Sequence, residues 1–178
     1  MRKSVLPLVL AVVLFTSPGY AADEGLPNGT PAPEISGQYS GGKEFTLGAL
    51  SKNTKVLAFF SVRTTTYGIY LAKIAKVERK HPSMQFVAVN VGPDTFAAML
   101  GSVKMLKDRP STFAVAPAST RESYKFEKFP YTVLLDEDNK VVKSFSGDHD
   151  VSFDRLEKAL MQKEVHSDMN GAFDELDK

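Results

Sequence analysis

Arg63-Thr64-Thr65-Thr66-Tyr67 places a guanidinium, three aliphatic hydroxyls and a phenol side by side, just before a stretch with helical spacing. A threonine hydroxyl becomes a nucleophile only beside a base, and no His or Lys adjoins this one. Thr64 is instead expected to cap the helix, since its oxygen can accept a backbone N–H of the first turn. Arg63 reads either as a surface charge or as an anion-binding group near the helix start. Tyr67 could act as an acid only if its pKa were lowered. Asp148-His149-Asp150 offers metal-type ligands. A spacing of one residue sets these side chains apart in either regular structure, so a solvated turn capping the last helix is the plainer reading. His81 and His166 lie in polar surroundings and are expected to be exposed. Asp168-Met169-Asn170-Gly171 has its glycine at the fourth position, not the sixth, which excludes an EF-hand. No phosphate loop or Ser-His-Asp elbow is present. The 178 residues include no cysteine, so every role that needs a thiol is excluded.

The elements that must position these residues follow from hydrophobic pattern. Glu34–Leu50 reads as short extended pieces around the turn Ser40-Gly41-Gly42. Lys55–Ser61 is a continuous apolar run, as in a strand buried on both faces. Tyr67–His81 has Tyr67, Tyr70, Leu71, Ile74 and Val77 on one helical face. Gln85–Val91 is a second buried strand. Asp94 is the expected N-cap of a helix reaching about Lys107, stopped by Pro110. Thr112–Ala116 is a short strand and Ser119–Lys125 a short helix. Tyr131–Leu135 and Lys140–Phe145 form a hairpin around Asp136–Asn139. Asp150–Gln162 is a closing amphipathic helix. This order implies an α/β domain with a mixed sheet and a right-handed first crossover.

At the N-terminus, Arg2 and Lys3 precede the apolar run Val5–Phe15, then Ser17-Pro18-Gly19 and the small residues Gly19 and Ala21. This reads as a secretory signal peptide over residues 1–21, cleaved after Ala21. The alternative is an uncleaved anchor, for which the run is short against the ~20 residues a bilayer requires. Residues 22–30 then form a flexible lead-in, 31–163 the folded domain and 164–178 a frayed acidic tail. Loss of Arg2 and Lys3 from the 22 basic residues, against 21 acidic ones, leaves a net charge of −1. That balance gives no electrostatic pull toward nucleic acid or anionic lipid. No integral membrane segment remains after cleavage, and the expected location is periplasmic or secreted.

Three segments, Thr30-Pro31-Ala32-Pro33, Val56–Val91 and Lys128–Gly147, together resemble the thioredoxin superfamily, closest to its exported TlpA-like and peroxiredoxin-related branch. Thr30-Pro31-Ala32-Pro33 resembles the start of that branch's domain. VLAFFSVRTTTYGIYLAKIAKVERKHPSMQFVAVNV is similar to its strand, active-site turn, long helix and second strand. KFPYTVLLDEDNKVVKSFSG is similar to its cis-proline, hairpin and closing glycine. The resemblance implies a three-layer sandwich with a mixed central sheet and helices on both faces. It also implies a cis Phe129–Pro130 bond. Against the family pattern F-W/F-A-x-W-C-x-x-C, Phe59 and Phe60 match, Arg63 stands at the tryptophan, and Thr64 and Tyr67 stand at the cysteines. Ala58 stands where a buried acid is common.

In the family, a thiolate at the helix N-terminus attacks a disulfide and the second cysteine resolves the product. A hydroxyl cannot do this. The expected function is therefore a non-catalytic binding or scaffold module of the cell envelope, with no cofactor or metal and a protein or peptide partner. Its groove would comprise Arg63, Thr64, Tyr67, Phe129, Pro130 and Tyr131, with backbone before Pro130 pairing an extended segment. Phe129 and Tyr131 read equally as core. The alternatives are an enzyme of unfamiliar chemistry around Arg63, Thr64, Thr66 and Tyr67, a family label of thiol–disulfide oxidoreductase, or metal binding through Asp148 and His149.

Overall fold

Lys55–Phe60 (β3) is buried at all six positions, as expected of a strand covered on both faces. In this computed structural model the described residues are 25–39, 42–147 and 150–174. The strand Gln85–Val91 (β4) runs parallel beside β3, and Phe113–Ala116 (β5) runs parallel beside β4. On the other side, Tyr131–Leu135 (β6) and Val141–Ser146 (β7) add antiparallel. Ser36–Tyr39 (β1) and Glu44–Thr46 (β2) extend the sheet beyond β5, giving the order β2-β1-β5-β4-β3-β6-β7.

Alternation along the strands divides the core in two. Leu57, Phe59, Val87, Val89, Tyr131 and Val133 face one layer, with Ile35, Phe45 and Tyr124. Val56, Ala58, Phe60, Phe86, Ala88 and Leu134 face the other. The helix Tyr67–Lys80 (α1) covers this second face with Tyr70, Leu71, Ile74 and Val77. Phe96–Val103 (α2) lies over the same face through Met99 and Val103. Crossovers of one hand that step twice in one direction across a sheet must place both helices on one side. Thr120–Ser123 (α3) leads Tyr124 and Phe126 into the opposite layer. Asp150–Asp174 (α4) packs Phe153, Leu156 and Leu160 beside α1.

Lys55 is buried in β3 because its ammonium reaches the carbonyls of Asp136 and Glu137, each at 3.2 Å, in the hairpin turn.

Several expectations are corrected. α2 begins one residue later and ends at Val103, not Lys107. Thr95, not Asp94, caps it, its hydroxyl accepting the Ala98 N–H at 3.3 Å. Past its end, Arg109 donates to the carbonyl of Lys104 at 3.0 Å, holding the chain in a turn. The helix α4 continues to Asp174 instead of ending at Gln162. Residues 25–30 are not a loose lead-in: Leu26 is 5% exposed within the first layer. Gly25, at φ +119°, lies so close to Tyr131 that a Cβ would stand 1.8 Å from the phenol oxygen. His81 is buried at 3% exposure, its Nδ1 3.0 Å from Glu164 of α4. The proposed signal peptide, Ser40-Gly41, Asp148-His149 and the end of the tail lie outside the described residues, as does the side chain of His166.

Candidate functional site

Three loops meet at one end of the sheet. Phe59 pairs with Tyr131 and Phe60 with Asn90. The turn after β3, the loop after β4 and the segment entering β6 are therefore neighbours.

The turn is held from beneath. Asn90, fully buried at the end of β4, accepts the Val62 N–H at 3.0 Å. Ser61 accepts the Arg63 N–H on its hydroxyl at 3.3 Å. Its carbonyl takes both the N–H and the hydroxyl of Thr64, at 3.1 and 2.9 Å. Thr64 thus closes the turn rather than capping α1, as the sequence had suggested. The residue at the cap position is Thr66, and its side chain makes no capping bond. The first intrahelical bond joins Tyr70 N–H to Thr66 C=O at 3.1 Å. The N–H groups of Tyr67, Gly68 and Ile69 precede it.

Arg63 grips Asp94 through Nε at 3.2 and 3.3 Å and Nη2 at 2.9 Å. The hydrogen bonds from Arg63 hold the Asp94 carboxyl below its ordinary pKa, with Asn90 adding a weaker pull the same way. This ion pair explains why Asp94 does not cap α2. Tyr67 is half-buried, its hydroxyl 3.4 Å from the Ser102 carbonyl of α2.

The other wall begins at Phe129, half-buried between the edge of Phe126, 5.4 Å between ring centres, and the Arg121 guanidinium at 5.2 Å. The Phe129–Pro130 peptide bond is cis. Among the described residues no backbone bond involves the Phe129 N–H or C=O, whereas the Pro130 carbonyl accepts Gly147 N–H at 2.9 Å. Tyr131 does not reach the surface. Its ring is wholly buried, stacked on Phe126 at 4.7 Å and on Phe59 at 6.1 Å. It belongs to the core because the β6 pleat turns it toward the layer of Phe59 and Tyr124.

Tyr70, by its spacing one of several core positions, links the two walls. Its hydroxyl lies 2.8 Å from Thr132 Oγ1 and 3.3 Å from the Tyr131 carbonyl, and burial raises its pKa. Asn90 and Ile69 were not anticipated either. A polar residue closing an apolar strand run was the available signal for Asn90. Ile69 is 60% exposed in the first turn of α1.

Residues 27–160 match the Redoxin family model. The chain belongs to the Redoxin family. Its solved structural neighbours agree with this Redoxin assignment at the level of fold. One, assigned as a protein disulfide isomerase from Bacteroides thetaiotaomicron, shares 20% identity at a TM-score of 0.70, over 81% of this chain and 95% of that one. Another, assigned as the thiol:disulfide interchange protein DsbE from Chlorobium tepidum, shares 21% at 0.66, over 77% and 97%. The exposed lipoprotein thioredoxin Etrx1 of Streptococcus pneumoniae shares 15% at 0.59, over 73% and 99%. No curated protein matches the chain significantly. This Redoxin member contains no cysteine and so has no thiol to exchange with a disulfide. Among its described residues no group of three His, Asp or Glu could hold a metal ion, and no helix is long and apolar enough to cross a membrane. Asp148 and His149 lie outside those residues.

Proposed function

We propose that the protein is a non-catalytic binding module of the cell envelope, docking an extended protein or peptide segment between the Thr64–Tyr67 turn and the loop at Phe129 and Pro130. One observation carries this reading. The reactive-looking side chains of the turn are spent on internal contacts: Thr64 on Ser61, Arg63 on Asp94 and Tyr67 on Ser102. Among the described residues the backbone around them has unused capacity, in the first N–H groups of α1 and at Phe129. Backbone donors and acceptors recognise an extended chain without any reactive group. Exposed Ile69 and half-buried Phe129 supply apolar area beside them. The N-terminal charge, apolar run and small residues support export, as does the likeness to an exposed lipoprotein thioredoxin.

The test combines activity and capture. The purified protein should neither reduce insulin disulfides nor turn over peroxide. Used as bait in its native envelope, it should recover partners that Phe129→Ala and Arg63→Glu lose while remaining folded. Glu44→Gln, on the far edge strand, should recover them all. Turnover of either substrate, or undiminished capture by both site variants, would refute the proposal.

A further inference from the structure

A groove of about 950 Å³ runs between β7 and α4, away from the turn just described. Among the described residues, every charged side chain lining it is a cation: Lys143 from the strand, and Arg155, Lys158 and Lys163 from the helix. None of the four forms an ion pair among the described residues. Helical geometry explains the segregation. Positions 155, 158, 159, 162 and 163 share one face of α4. Three of that helix's acids, seven residues apart, lie on another. Asp150 meets Lys73 at 2.9 Å, Glu157 meets Lys80 at 2.8 Å and Glu164 meets His81 at 3.0 Å. In a chain whose charges nearly cancel, these three acids of α4 are paired with α1 and the residue that ends it, and the helix's cations are left on the groove.

The groove follows the free edge of the sheet, since β7 is its last strand. That edge is already partly covered by the protein's own chain. Gly29 N–H donates to Val141 C=O at 2.7 Å, Val141 N–H to Thr30 C=O at 2.9 Å, and Ala32 N–H to Asn139 C=O at 2.9 Å. Residues 29–32 thus pair along the first part of β7 as a short added strand, and the groove begins at Val142 where this cover stops. Ladder alternation then decides which groups remain outside. Gly147 bonds inward to Pro130, so with the register Tyr131↔Ser146, Thr132↔Phe145 and Val133↔Ser144 the backbone of Ser146 and Ser144 turns outward. The Ser146 carbonyl accepts the Ser152 hydroxyl at 3.1 Å. Ser144 N–H and C=O face the groove.

We propose that this groove binds an extended acidic polypeptide segment, which continues the sheet at Ser144 and places its carboxylates among Lys143, Arg155, Lys158 and Lys163. Strand addition supplies the backbone bonds, and the cations select for acidic side chains. A second copy of this chain is disfavoured as occupant, since edge-to-edge pairing would bring this cluster of cations against its own counterpart. This site is independent of the turn, and its test leaves that reading untouched.

The probe is a synthetic peptide of alternating Glu and Thr, titrated into the full mature protein. Its controls are the Gln–Thr peptide, the Glu–Thr peptide N-methylated at alternate residues, and inorganic polyphosphate. The Glu–Thr peptide should bind and release as salt rises. Arg155→Glu and Lys158→Glu should each weaken it about tenfold, the scale of one lost charge-assisted contact. Ser144→Pro should abolish binding while the protein still melts cooperatively, because an outward N–H on an edge strand is dispensable to the fold. The N-methylated peptide makes the same test on unaltered protein and should not bind. Equal binding of the Gln–Thr peptide, or of the N-methylated one, would overturn the proposal. So would polyphosphate binding more tightly than the peptide, or wild-type protein sedimenting as a dimer that Lys143→Glu dissociates.

Discussion

Arg63 and Asp94 show how a single pair can carry a local structure. The guanidinium spans from the turn after β3 to the loop after β4, joining two of the three loops at the site. Because the folded Asp94 carboxyl is held below its unfolded value, the pair stabilises the native state above the ordinary carboxylate range, near 3.9, and that contribution fades as pH falls through the lower folded value. Asp94→Asn should therefore lower the melting temperature modestly at neutral pH and not at all in strong acid. Melting both proteins across that range checks the sign. High salt should shrink the neutral-pH difference, since the guanidinium is exposed. A difference that grew on acidification would show that the pair does not stabilise the fold.

Between residues and the whole lie the strands and helices, and here the position of one aromatic ring decides which surface is available. β6 is buried at all five positions, so Tyr131 is core and Phe129, two residues earlier, is not. Tyr131→Ala removes a ring stacked on Phe59 and Phe126 and leaves Gly25 facing a void. The cost should be roughly 3–5 kcal/mol, the range for truncating a buried aromatic side chain. Phe129→Ala should cost much less. Urea unfolding of the two variants measures the contrast, and a similar loss from both would place Phe129 in the core as well. The closing helix is organised by the same periodic logic, with Phe153, Leu156 and Leu160 inward, acids toward α1 and cations toward β7.

At the level of the molecule, stability rests on two apolar layers and on no covalent cross-link. Dithiothreitol should leave the melting temperature unchanged, as there is no disulfide for it to reduce. Calorimetry with and without the reagent tests this, and a reproducible shift would indicate that dithiothreitol acts on something other than this chain's own sulfur. The layers themselves follow from alternation within strands buried on both faces, and the pairing of those strands brings the three loops together at one end.

The order of residues alone accounts for the central strands, the long helix after β3 and the impossibility of thiol chemistry. Each of these depends on residue type and spacing over a few turns: Lys55–Phe60 and Gln85–Val91 are apolar runs whatever surrounds them, and an absent cysteine needs no structure to interpret. Tertiary structure decided the rest. Thr64 and Thr66 are both plausible caps locally, and only the Ser61 carbonyl beneath the turn settles where the Thr64 hydroxyl goes. Asp94 looked like a cap until Arg63, thirty-one positions away, claimed its carboxylate. Polar neighbours in sequence suggested that His81 was exposed, yet packing of α4 against α1 buries it beside Glu164. The basic groove was unreadable because Lys143 and Arg155 come together only when the last helix lies along the last strand. Local pattern reports what a segment can bury, whereas partners distant along the chain decide what each polar group is used for.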